Sequence, residues 1–140
     1  MTTMTPAQIE TFLQAPRHAV IGTNPIDGPP QLSPVWYVYE VGRLFISVGV
    51  GSTKHRNLRR DPRTSVCIDG CYPDFRTVIV SGTAELVESD NPLQEKMRWR
   101  IIRQYHKSEE EARQYLETTR DEESVLLVVT PDRIISQDFN

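Results

Sequence analysis

The chain has few cysteines, no long apolar run and no excess of positive charge. Its 140 residues include two cysteines and carry a formal net charge of -3. Cys67 and Cys71 do not form a CxxC pair, and no second ligand pair accompanies them. A disulfide framework and a zinc site are therefore not expected, and both read as ordinary free thiols near a strand end. An acidic balance argues against a general nucleic-acid binder. No stretch approaches the roughly 18 apolar residues of a membrane span, and the opening "MTTMTPAQIETFL" lacks a basic-then-apolar leader pattern. The expected location is the cytoplasm, with no membrane partner. The GxxxxGK[ST] loop that cradles nucleotide phosphates is missing. His18, His55 and His106 are scattered without a Ser or Cys partner, so no triad is indicated and no catalytic side chain is nominated.

What is present fits one domain spanning residues 1–140, with 38% hydrophobic and 25% charged residues, ordinary for a globular chain. Thr5 followed by Pro6 predicts a helix start, and Ile9, Phe12 and Leu13 continue it over residues 5–15. The period then changes. "HAVIGTN", "QLSPVWYVYE", "GRLFISVGVG", "RTSVCIDG", "FRTVIVSGTAELVE" and "SVLLVVTPDRIISQDF" read as strands. The turn at Asp27-Gly28 separates the first two, and a turn at residues 40–42 makes the second and third a hairpin. Pro34 belongs at an edge or bulge, Gly82 at a bend, and Pro131-Asp132 at a break. Helical spacing returns from Asn91 and again in "SEEEARQYLETT", capped by Ser108. About six meandering strands with peripheral helices predict a mainly β class, a small closed or split barrel.

The densest chemistry lies in "GSTKHRNLRRDPR", residues 51–63. Lys54, Arg56, Arg59, Arg60 and Arg63 face a single acid, Asp61. Ser52 and Thr53 supply hydroxyls and a helix cap, and Leu58 anchors the helix to the core. Lys54 falls in the first turn, where open amides and the helix dipole favour an anion. Hydroxyls, amides, a lysine and an arginine fork are what a phosphate needs. The spacing alone leaves two readings open: an anion site, or a solvated basic helix with Asp61 as its internal partner. Trp36, Tyr37 and Tyr39 read as core, and Trp99, Tyr105 and Tyr115 as core or interface. His55 reads as a surface residue and His106 as a helix-end cap.

The segments "DGPPQLSPVWYVYEVGRLFISV", "STKHRNLRRDPRTSVCID" and "VIVSGTAELVE" resemble the pyridoxamine 5'-phosphate oxidase-like split-barrel family, over roughly residues 5–90 by motif order. Within it they look closest to the branch that uses coenzyme F-420. The resemblance implies an FMN-binding type of split barrel with about six antiparallel strands. It also implies a homodimer with cofactors at the subunit interface. It assigns Ser52, Thr53, Lys54, Arg56 and Asn57 to the cofactor's phosphate or tail. It sets Gln31, Ser33, Pro34, Ser47 and Val48 along the ring. From the strand pattern alone, Gln31 and Ser33 are a half-exposed polar sheet face. The ending "RIISQDFN" lacks the basic substrate-binding finish of the true pyridoxamine phosphate oxidases, which argues against vitamin B6 oxidation.

In such a family the cofactor does the chemistry and the protein positions it. The expected function is a hydride-transferring oxidoreductase acting on a small unsaturated or aromatic compound. The expected cofactor is F-420, whose anionic tail suits the extra cations, with FMN as the alternative. Two other classes stay open: a non-catalytic module that binds a flavin, F-420 or a tetrapyrrole, and an interaction protein whose basic helix meets an acidic partner.

Overall fold

The structure is a computed structural model and describes residues 2–140; Met1, the first residue of the expected domain, lies outside the described residues. The N-terminal helix α1 (Pro6–Gln14) starts with a reciprocal cap. The Thr5 hydroxyl accepts from the Gln8 amide at 3.2 Å, and the Gln8 side chain accepts from the Thr5 amide at 2.8 Å. Seven strands follow: β1 (His18–Thr23), β2 (Gln31–Val35), β3 (Val38–Glu40), β4 (Arg43–Gly49), β5 (Arg63–Asp69), β6 (Arg76–Val87) and β7 (Ser124–Asp138). Helix α2 (Thr53–Arg60) sits between β4 and β5. Helices α3 (Pro92–Gln104) and α4 (Glu109–Thr118) lie between β6 and β7.

All pairings are antiparallel, in the order β2-β1-β5-β6-β7-β4-β3. That order places β2 and β3 on opposite edges, although only Trp36 and Tyr37 separate them in sequence. A flat sheet would hold those edges about 29 Å apart, at roughly 4.8 Å per strand. The chain from Val35 to Val38 can span at most about 11 Å. The sheet therefore curls until its two edges meet, and β2 lies against β4. The barrel is closed by chain connection rather than by a hydrogen-bonded ladder, which is a split barrel. The fold class is the one expected. The stretch Gln31–Glu40, expected as one strand, is two, because the chain changes sheet edge at Trp36–Tyr37. Pro34 falls on the edge strand β2, where a residue without an N–H is tolerated.

The curled sheet encloses Ile21, Leu44, Ile46, Val66, Ile68, Val80 and Leu127, all buried, with Tyr37 and Leu58 at the ends. The first half of strand β7, residues 125–129, is buried on both faces. Val125, Leu127 and Val129 fill the barrel, while Leu126 and Val128 pack against Met97 and Ile101 of α3. This accounts for its unbroken apolar run "VLLVV". The bend at Gly82 and the break at Pro131-Asp132 are one feature. Ser81 pairs with Arg133 and Gly82 with Pro131, so Asp132 bulges out of register. A Cβ on Gly82 would stand 2.0 Å from the Thr130 carbonyl oxygen, so only glycine fits. No helix among the described residues is long and apolar enough to cross a membrane.

Candidate functional site

The basic stretch folds as helix α2 because its entry is capped. Gly51, at φ +78, reverses the chain, and the Ser52 hydroxyl accepts from the His55 amide at 3.3 Å. One face of α2, carrying His55, Asn57 and Leu58, is buried. His55, expected at the surface, is 2% exposed. The Gly49–Ser52 loop folds over it: its Nδ1 accepts from the Gly51 amide at 2.9 Å, leaving the ring proton on Nε2. That Nε2 is buried and has no protein partner. The Arg56 guanidinium donates to the Gly51 carbonyl and holds the same loop from outside.

Asp61 is not the internal partner of the helix cations. It caps the C-terminal end of α2, and its carboxylate takes Arg63 at 2.8 Å and the Asn24 amide at 3.2 Å. Hydrogen bonds from Arg63 hold its carboxyl well below the usual range. Among the described residues, Lys54, Arg56, Arg59 and Arg60 have no carboxylate within ion-pair distance. Lys54 is half-buried and reaches across the seam between the sheet edges, where its Nζ donates to the Ser33 hydroxyl of β2 at 3.1 Å.

Beside that contact lies a cavity of about 460 Å³, within the size range of small-molecule and cofactor sites. One wall is sheet: Pro34 and Val35 of β2, then Ser47, Val48 and Gly49 of β4, with Lys54 at its rim. Other lining comes from Arg17 and His18 at the start of β1 and from Trp36 in the link between the sheet edges. Helices α3 and α4 add Ile101, Tyr105 and Tyr115. Trp36 stacks on Tyr105, with ring centroids 5.2 Å apart and planes 10° from parallel. Tyr115 tilts against the indole at 5.3 Å, and His106 meets it edge-on at 5.6 Å. The Tyr105 hydroxyl donates to the Arg17 carbonyl at 2.8 Å, and burial pushes its pKa up, so the ring is fixed and stays a neutral phenol. Among the described residues, no Asp or Glu lines the cavity.

Of the residues singled out in the sequence, Pro34, Ser47, Val48 and Lys54 line this cavity, and Ser33 joins them through Lys54. Ser52, Thr53 and Arg56 form the adjoining loop and first turn of α2. Gln31 and Asn57 are engaged elsewhere, in a chain through buried Thr23. The Asn57 side-chain amide donates to the Thr23 hydroxyl at 3.1 Å, which donates to the side-chain Oε1 of Gln31 at 3.2 Å. Asn57 Oδ1 also accepts from Arg60 at 3.2 Å. Arg17, His18, Trp36, Tyr105 and Tyr115 were not foreseen as site residues. No local pattern marks them, because closure of the sheet and the docking of α3 and α4 bring them together. His106 does cap α3 as expected, with Nδ1 2.7 Å from the Ile102 carbonyl.

Residues 5–138 match the family model described as pyridoxamine 5'-phosphate oxidase. Among solved structures, a conserved hypothetical protein of Mycobacterium tuberculosis aligns with a TM-score of 0.79 at 28% identity, covering 96% of this chain and 85% of its own. An F420 reductase aligns at 0.65 and 20% identity, covering 89% and 94%. The heme storage protein of Vibrio cholerae aligns at 0.74 and 15%, covering 95% of each chain. The last two likenesses are of fold alone.

Proposed function

The chain belongs to the pyridoxamine 5'-phosphate oxidase family, and from that premise we propose that it is an oxidoreductase holding a deazaflavin of the F-420 type in the seam cavity. The observation that carries this reading is the pairing of two features. A cavity of ring-binding size lies at the seam, and at its rim stands a lysine with no carboxylate partner among the described residues. The donor set fits the group. Lys54, the hydroxyls of Ser52 and Thr53, and the unpaired amides of the first turn of α2 would hold a phosphate. Arg56, Arg59 and Arg60, exposed on α2, add positive charge on the helix that carries Lys54, which suits an anionic tail longer than that of FMN. Pro34, Val48 and Ser47 would flank the ring. Asn57 and Gln31 act one layer behind, by fixing α2 against β1 and β2 through Thr23.

When bound, the cofactor supplies the hydride. The protein's own residues bind, orient and shield. His55 and Arg56 fix the Gly49–Ser52 loop through the amide and carbonyl of Gly51. Tyr105 and Ile101 add apolar wall to the cavity.

The partner in this reading is a second copy of the chain. Val20, Leu32 and Ile134 leave apolar surface on the outside of the sheet, and Val20, Leu32 and Ile79 line one apolar groove there. Leu32 of β2 lines that groove while Pro34, two residues on, lines the cavity. A protomer seated on the outer face of β2 would therefore border the cofactor. Fold likeness to a heme storage protein supports a second reading, a binding module without turnover. Titrating the pure protein with F-420 and with FMN, followed by absorbance, tests the main reading. Saturable F-420 binding in the micromolar range or tighter is expected. No binding of either below about millimolar would end it.

A further inference from the structure

Among the described residues, one buried side-chain N or O atom has no hydrogen-bond partner: Nε2 of His55, on the helix that carries Lys54. The ring's other nitrogen is committed. Nδ1 accepts from the Gly51 amide at 2.9 Å, so Nε2 carries the proton and that N–H is left unsatisfied. A buried unpaired donor is costly, and the cost disappears once the Gly49–Ser52 loop lifts and water reaches the ring. The closed loop is therefore poised rather than locked, with Arg56 on the Gly51 carbonyl as its second tie. The closed arrangement also admits only one charge state. An imidazolium carries N–H on both nitrogens, so Nδ1–H would face the Gly51 N–H, donor against donor. Among the described residues, no carboxylate lies within ion-pair distance of the ring to compensate its charge. Its own helix adds Lys54, Arg56, Arg59 and Arg60. The strands packed on α2 bring His18 from β1 and Arg43 from β4, and β2 brings no titratable group. Glu123, just before β7, meets the loop through its carbonyl, which accepts from the Val50 amide at 3.0 Å, and its side chain is exposed.

We infer that His55 is a proton-sensitive positioning residue: its neutral ring pins the Gly49–Ser52 loop beside the phosphate seat of α2, and uptake of a proton releases that loop. This rests on the reading that the cofactor's phosphate binds at the first turn of α2, and it adds a control on that seat. The closed loop holds the ring neutral. The open loop leaves a water-exposed imidazole, which takes a proton below about pH 6.5. Closure is favoured above that value and is lost as pH falls through it, by one proton and hence by about tenfold in the opening equilibrium per pH unit.

The test is amide hydrogen exchange at Gly51, read by NMR at about pH 7.5 and about pH 5.5 and taken relative to an unstructured peptide at each pH. In the cofactor-free protein, Gly51 protection is expected to fall about tenfold across that interval. The buried Ile68 should keep its protection. His55→Asn puts a neutral acceptor in place of Nδ1 and leaves His18 and His106 as they are, so its Gly51 protection should not vary with pH. If that variant does not fold, His55→Gln, also neutral, carries the same expectation. Saturating F-420 should raise Gly51 protection in the parent at both pH values. Gly51 protection that is independent of pH in the parent overturns the inference. So does a fall that persists in His55→Asn, because another group would then take the proton, or an equal fall at Ile68, which would mean general acid unfolding. F-420 that binds without raising Gly51 protection removes the positioning role and leaves the functional reading intact. If neither F-420 nor FMN binds, the functional reading falls and the positioning role with it, whereas the acid release of Gly51 is still read in the cofactor-free protein.

Discussion

Replacing Lys54 with alanine separates an anion site from a decorative basic helix. Among the described residues, Lys54 Nζ donates to the neutral Ser33 hydroxyl at 3.1 Å and meets no acid. A phosphate at the rim would be its first charged partner. Two unit charges about 4 Å apart at an effective dielectric near 20 attract by about 4 kcal/mol, before desolvation and salt are subtracted. Measured hydrogen bonds to charged groups contribute about 1.5–3 kcal/mol. Lys54→Ala should therefore weaken F-420 or FMN binding about 12- to 140-fold, at about 1.4 kcal/mol per tenfold. Arg63→Ala is the control. It removes the same unit of charge from the same segment, but Arg63 is already engaged with Asp61 at 2.8 Å and is 78% exposed. Its loss should change affinity by less than about twofold, because surface ion pairs contribute little. Arg59→Ala, exposed on α2, should fall between the two. Isothermal titration at fixed ionic strength measures all three. Equal losses in Lys54→Ala and Arg63→Ala would mean that only the general field matters, and an unchanged Lys54→Ala would place the anion elsewhere.

Leu32→Glu should convert a dimer to monomer in sedimentation experiments if the outer face of β2 pairs two chains; an unaltered mass distribution would exclude that face. Gly82→Ala should lower stability by at least about 1–3 kcal/mol in chemical denaturation, the usual cost of overpacking, because its Cβ would collide with backbone 2.0 Å away. Asp74 is held well below the usual carboxylate range by hydrogen bonds from Arg76 and then Asn140. Its folded pKa is depressed, so its contribution is complete above the ordinary value near about 4 and is lost as pH falls below it. Asp74→Asn should accordingly cost about 1–2 kcal/mol in denaturant melts at neutral pH, and the gap from the parent protein should shrink in melts taken below that value.

Local chemistry was legible wherever it was carried by neighbours in sequence. The Thr5-Pro6 cap, the alternation of β1 and β5, the glycine-opened entry to α2 and the anchoring role of Leu58 all follow from spacing, because each depends on contacts within a few residues. The same reasoning made His55 a surface residue, since its burial comes from a loop that folds back over the helix. It made Trp36 a core residue, since nothing local announces that the chain leaves one sheet edge there and joins the other.

The sequence by itself determined most of the elements, the mainly β class and the position of the cation cluster, all properties of residues near one another along the chain. Only the tertiary structure decided that Asp61 serves Arg63 rather than the helix, that Lys54 reaches β2, and that Trp36, Tyr105 and Tyr115 share one cavity. Those outcomes require the two edges of a seven-stranded sheet to meet. The two-residue link between β2 and β3 forces them together, but that consequence appears only once the strand order is known.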